Sequence, residues 1–116
     1  MGVRIYHNSR CSKSRGTLEL LQARGIEPEV VNYLDTPPSV DDLKDLLRLL
    51  GRTPRQLLRT GEAEYRDLGL DDPALGDDAV LQAMAAHPKL IERPIVVAGG
   101  KAAIGRPPEA VLAILP

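Results

Sequence analysis

The opening of the chain narrows its folds more than any other feature. Val3-Arg4-Ile5-Tyr6 is a short run of strand formers that stops at the turn formers His7-Asn8-Ser9. From Ser12 the pattern becomes helical, with Leu18, Leu20 and Leu21 on one side and Gly25 where a helix should end. After Pro28, Val30-Val31 with Tyr33 reads as a second strand. Two strands separated by a helix cannot pair as a hairpin. The crossover brings the second strand back parallel to the first, with a right-handed connection.

The rest of the chain completes an α/β pattern. Pro37-Pro38 break the chain, and Ser39 with Asp42 predicts an N-cap for a helix with Leu43, Leu46, Leu47 and Leu50 on its apolar face, stopped by Gly51. A short helix is expected from Pro54 through Leu58. Another should follow Asp77-Asp78, with Val80, Leu81 and Met84 at helical spacing and His87-Pro88 as its end. Ile95-Val96-Val97 and Ala102-Ala103-Ile104, joined across Gly99-Gly100, predict a hairpin. Pro107 and Pro108 suit the first turn of a last helix carrying Val111, Leu112 and Leu115. The order is βαβ, a helical block, then ββα, which is that of a thioredoxin-like fold. At 116 residues the chain has room for one hydrophobic core. The expectation is a single thioredoxin-like domain over the whole length, with a helical insertion at about 39–88.

Charge and cysteine usage exclude several function classes. Lys and Arg number 15 against 16 Asp and Glu, for a net charge of −1, and no long run of one sign marks a nucleic-acid partner. The residues from Met1 to Asn8 contain no apolar stretch, and no segment is long and apolar enough to span a bilayer. A cytoplasmic protein without a membrane partner is expected. One cysteine and two histidines permit neither an internal disulfide nor a Cys-rich zinc site, and no glycine-rich dinucleotide motif occurs. No bound metal or cofactor is therefore expected.

Cys11 lies where the first strand's turn meets the first helix. Its sulfur should face the unpaired N–H groups and positive dipole end of that helix. Arg10, Lys13, Arg15 and His7 add positive charge nearby, a setting that favours the nucleophilic thiolate. The polar neighbours Ser9, Arg10, Ser12 and Lys13 are poor company for a buried filler. The same loop can cradle a tetrahedral anion through Ser12, Lys13 and Ser14. Serine stands at 14, where a dithiol enzyme has its second cysteine, so an oxidised or adducted Cys11 needs an external thiol. Arg93 and Arg106 sit at expected strand ends, and Arg59 ends a short helix. Guanidinium groups bind oxyanions bidentately, and loops at one end of an α/β sheet can converge on a site. His7 either donates to the thiolate or caps the turn, while His87 reads as a helix-ending cap. Gly16, inside the first helix, has no evident functional reason.

The set Tyr6-His7-Asn8, Cys11, Ser14-Arg15, Thr17-Leu18, Tyr33-Leu34, Thr36-Pro37-Pro38, Leu57-Leu58-Arg59, His87-Pro88, Arg93-Pro94-Ile95-Val96-Val97 and Arg106-Pro107 resembles the glutaredoxin-coupled arsenate reductase family. With Ser9 and Ser12-Lys13 in place of the frequent Pro and Gly-Thr, the chain is most similar to that family's short branch. The resemblance implies a thioredoxin-like fold with a helical insertion and reduction of arsenate to arsenite, with arsenate or a related oxyanion as the bound partner in the short branch. Glutathione would be the co-substrate and glutaredoxin a partner. Carried over by position, Cys11 would form a covalent arsenic adduct and His7 would help to keep it ionised. Arg59, Arg93 and Arg106 would bind arsenate, and Pro94 would carry a cis peptide bond. Two other functions use similar parts: an Spx-like regulator binding RNA polymerase, and a glutathione-dependent thiol transferase. The first usually needs a Cys-x-x-Cys pair that this chain lacks, and the second leaves Arg59 and Arg106 unexplained.

Overall fold

A computed structural model describes residues 2–116. The chain divides into two compact units. One comprises the residues up to Thr36 together with Arg93–Pro116, and the other is Pro37–Glu92.

The first unit holds β1 (Val3–His7), α1 (Ser12–Ala23), β2 (Glu29–Asn32), β3 (Ile95–Ala98), β4 (Lys101–Ile104) and a 3-10 helix (Pro108–Ile114). The strands form one sheet in the order β2-β1-β3-β4. β1 and β2 are parallel, with Ile5 opposite Val30, as the helical crossover requires. β1 and β3 run antiparallel, with Tyr6 opposite Ile95, and the β3–β4 hairpin sets Ile95 opposite Ile104. The arrangement is thioredoxin-like. Its register places the end of β1, the start of β3 and the end of β4 along one edge of the sheet. Residues far apart in sequence meet there.

Val3, Ile5, Leu21, Val96, Ala98 and Val111 form the core of this unit, flanked by half-buried Leu18, Leu20 and Ile26. The period of two along β1 that buries Val3 and Ile5 also buries His7. In α1 the buried stripe is Ser14, Thr17 and Leu21, not the expected leucine trio. Two hydroxyls are tolerated because each is bonded: Thr17 Oγ1 donates to the Lys13 carbonyl at 2.8 Å, and Ser14 Oγ meets His7 Nδ1 at 2.6 Å. The helix ends as expected. Gly25 takes φ +76°, its N–H bonds Gln22 O at 3.0 Å, and Ile26 N–H reaches back to Leu21 O at 3.0 Å.

Two expectations need correction here. β2 stops at Asn32, and Tyr33 lies outside it, buried, where the chain turns with Asp35 and Thr36 N–H both bonded to Asn32 O. The last helix is 3-10 throughout. Its three-residue repeat aligns Pro108, Val111 and Ile114, so Val111 is buried while Leu112 is left exposed. The same segment packs beside Gly16, where a Cβ would meet Pro108 Cγ at 3.4 Å, an ordinary contact distance, so the packing limits the size of a side chain there without requiring glycine.

The second unit holds α2 (Val40–Leu50), α3 (Pro54–Leu57), α4 (Ala63–Asp67), α5 (Asp77–Ala86) and a 3-10 turn (Pro88–Leu90). Ser39 and Asp42 form a reciprocal capping box at 3.0 and 3.1 Å, and Gly51 at φ +66° closes α2. Thr53 and Gln56 repeat the box at α3. That helix is one residue shorter than expected, because Leu58 turns extended to bridge Ile91. Arg59 N–H to Leu90 O at 2.7 Å and Glu92 N–H to Leu57 O at 2.9 Å complete this clip. Leu43, Leu46, Leu47, Leu57, Val80, Leu81, Met84 and Leu90 are buried. α4 buries none of its residues and so leaves no hydrophobic periodicity to read. Among the described residues, no helix is long and apolar enough to cross a membrane.

Candidate active site around Cys11

Cys11 is the N-cap residue of α1, with extended backbone at φ −97° and ψ 123°. No conventional capping hydrogen bond engages its side chain. The sulfur stands where a capping oxygen would, in front of the first-turn N–H groups. The loop leading to it is tightly bonded. Cys11 N–H reaches Asn8 O at 3.0 Å, Arg10 N–H reaches Asn8 Oδ1 at 3.0 Å, and Arg15 Nη1 holds Ser9 O at 2.9 Å.

Ser14 ties this loop to the strand. Its Oγ accepts the Asn8 N–H at 3.0 Å and lies 2.6 Å from His7 Nδ1. Both Ser14 and His7 are buried, whereas Ser12 and Lys13 are exposed. Burial, reinforced by the positive charge of Arg15, pushes the His7 pKa down, so the imidazole is held neutral. His7 is therefore linked to the cysteine loop through the Ser14 hydroxyl.

The arginines from the hairpin meet the sulfur at the shared sheet edge. Arg106 Nη2 donates to Cys11 Sγ at 3.5 Å, and Arg106 Nε donates to the Arg93 carbonyl at 2.8 Å. Burial is the largest single influence on the Cys11 thiol and pushes its pKa up. The Ser14 and Lys13 N–H groups, with the charge and hydrogen bond of Arg93, outweigh it, and the net direction is downward. A buried thiol drawn down in pKa by backbone donors and a guanidinium is chemically suited to act as a nucleophile. The same donors can receive a tetrahedral anion.

The Arg93–Pro94 peptide bond is cis, and so is Arg106–Pro107, which the sequence reading did not anticipate. Arg59 lies in the helical unit. Its Nη1 pairs with Glu92 at 3.1 Å and its Nε with Glu62 at 3.6 Å, so its charge is balanced within that unit. His87 is the C-cap residue of α5, as expected. Sequence reasoning passed over Gly105, whose only signal is its place directly before Arg106-Pro107, and quoted Thr17 in the family resemblance without giving it a role. Among the described residues, no group of three or more His, Cys, Asp or Glu is arranged to hold a metal ion.

The family model for ArsC matches residues 6–114. The chain belongs to the ArsC family. The matched span contains His7, the Cys11 loop, the helical unit with Arg59, and both hairpin arginines. Among ArsC-like relatives, an arsenate reductase of Neisseria meningitidis serogroup B is 54% identical over 97% of this chain and 97% of its own. The protein YfgD of Escherichia coli K12 is 58% identical over 97% of this chain and 96% of its own. The solved structure of an arsenate reductase from Vibrio cholerae superposes with a TM-score of 0.97 at 57% identity, covering 99% of this chain and 98% of that one. The ArsC fold and the thioredoxin-like sheet are thus the same observation made twice.

Proposed function

We propose that this ArsC-family chain reduces arsenate to arsenite, with Cys11 as the nucleophile. The observation that carries the reading is the pair of hairpin arginines at the Cys11 sulfur, with Arg106 Nη2 3.5 Å from Sγ and Arg93 favouring the thiolate. A thiol exchanger without an oxyanion substrate has no need of both. The names of the Neisseria and Vibrio relatives point the same way.

In this mechanism the thiolate attacks arsenic, an S–As bond forms, and one arsenate oxygen leaves as water after protonation, with arsenic still pentavalent. Arg93 and Arg106 offset the negative charge that builds on the oxygens. Glutathione displaces a second oxygen and binds arsenic through its own sulfur. A second thiol, from glutaredoxin or another glutathione, attacks that sulfur, and the breaking S–As bond leaves its electron pair on arsenic. Two thiols become one disulfide, arsenic becomes trivalent, and water releases arsenite to restore Cys11. His7 acts at one remove, holding Ser14 and so the loop that presents the sulfur. Arg59 enters by resemblance alone. An Arg59→Ala loss as large as the others would place it in the oxyanion set, and full activity would remove it.

The test is arsenate-dependent NADPH oxidation coupled through glutathione, glutaredoxin and glutathione reductase. Turnover that needs all three is expected. Turnover with thioredoxin and thioredoxin reductase instead would replace the reductant, and none with either system would overturn the reading.

A further inference from the structure

The chain just before Arg106 runs close to both α1 and Pro94. Gly105 follows the end of β4, its N–H donates to Pro94 O at 2.9 Å, and Arg106 N–H bonds Ile104 O at 2.9 Å. A Cβ on Gly105 would fall 2.8 Å from Pro94 Cγ and 3.2 Å from Thr17 Cγ2, and would overlap Thr17 Oγ1. Carbon atoms in comfortable contact sit about 3.5–4.0 Å apart. Neither neighbour can easily give way. Thr17 is fully buried with its hydroxyl bonded to Lys13 O, and Pro94 is buried at the entry to β3. At Gly25, Gly51, Gly61, Gly69, Gly76 and Gly100, by contrast, a Cβ would meet nothing within 4 Å. The backbone of Gly105 is not left-handed, so what is required there is space and not conformational freedom.

We infer that Gly105 is a positioning residue for the oxyanion site: lacking a side chain, it lets the chain pass between Thr17 and Pro94 and so sets Arg106 against Cys11. The inference rests on reading Cys11 and Arg106 as one site. It assigns Thr17 a part as well, since the threonine is the wall against which Gly105 is pressed. Any side chain at 105 moves the end of β4 away from the helix and carries the Arg106 guanidinium with it.

The experiment measures iodoacetamide alkylation of Cys11 against pH, with and without arsenate, in the intact protein. It requires no turnover, so it is independent of whether the chain reduces arsenate. Arg106→Ala should raise the alkylation midpoint by about one pH unit, the scale of one lost nearby charge, and abolish protection by arsenate. Gly105→Ala should do the same in direction, with most of that magnitude. The decisive arm is the double variant: Gly105→Ala made on Arg106→Ala should shift the midpoint no further, because the residue it displaces is gone. Thr17→Ala added to Gly105→Ala should recover part of the protection by removing two of the three contacts. A Gly105→Ala protein that keeps the wild-type midpoint and protection overturns the inference. So does an equal, additive shift in the Arg106→Ala background, which would mark a general packing defect. Should Gly105→Ala not fold, Thr17→Leu presses the same contact from the helix side and carries the same test, an unchanged midpoint overturning the inference.

Discussion

At the scale of single residues, the site works by balancing burial against charge. Cys11 is buried, which alone would raise its thiol pKa, and two N–H groups with a guanidinium bring that pKa down instead, the condition the proposed nucleophile needs. Cys11→Ser should abolish arsenate turnover while leaving the far-UV spectrum and denaturation midpoint close to wild type, since the change is nearly isosteric. Arg93→Ala and Arg106→Ala should each lower kcat/KM by about 10²–10³, the usual cost of one transition-state donor, with lysine restoring only part because it cannot bind bidentately. Arg48, an exposed partner of Asp45 at 3.3 Å, is the control. Its alanine variant should keep wild-type kinetics, as an exposed pair contributes little. His7 gives a pH signature. Its native pKa lies below the unfolded value of 6.5, so the unfolded chain binds the proton first as pH falls. Stability should be full above about pH 6.5, decline as pH drops toward the native pKa, and then level off. Urea denaturation of wild type and His7→Ala across that range should show the slope in the first and its loss in the second.

At the scale of elements, the turns and caps carry their own energies. Ser39→Ala removes the hydroxyl that accepts the Asp42 N–H, leaving the backbone half of the α2 capping box in place, and should cost about 1 kcal/mol in urea denaturation. Gly51→Ala, at φ +66°, places a Cβ in the left-handed region and should cost about 1–2 kcal/mol although nothing crowds it. Gly16 behaves in the opposite way. Alanine there meets Pro108 at an ordinary contact distance and should be neutral or slightly stabilising, whereas Gly16→Leu should force the 3-10 helix off α1. These elements differ in how far the sequence announces them. Ser39 with Asp42, Gly25 and Gly51 are local signals, complete within a few residues, and each marked its helix end correctly. α4 and the 3-10 character of Pro108–Ile114 depend on what packs against them, which no local pattern records.

At the scale of the whole molecule, an oxyanion that binds the folded chain and not the unfolded one must stabilise it. Arsenate at about 100 times its Kd should add about 2.7 kcal/mol and raise Tm, and Arg106→Ala should remove most of that rise. EDTA should leave both Tm and turnover unchanged. The sequence by itself determined the strand-helix-strand opening, the hairpin and the ends of α1 and α2, because each is written in spacing over a few residues, and it singled out Cys11 as the candidate thiol by its place at a helix start. It also marked Arg93 and Arg106 as candidates by their places beside strands. Only the tertiary structure decided that these arginines share an edge with Cys11, that Ser14 and Thr17 join Leu21 on the buried face of α1 while Leu18 and Leu20 stay half-buried, and that Gly105 has no room for a side chain. Those facts depend on antiparallel pairing that joins positions more than eighty residues apart and on the close approach of a strand end to a helix. Backbone hydrogen bonds and excluded volume set both, and neither leaves a periodic mark in the order of amino acids.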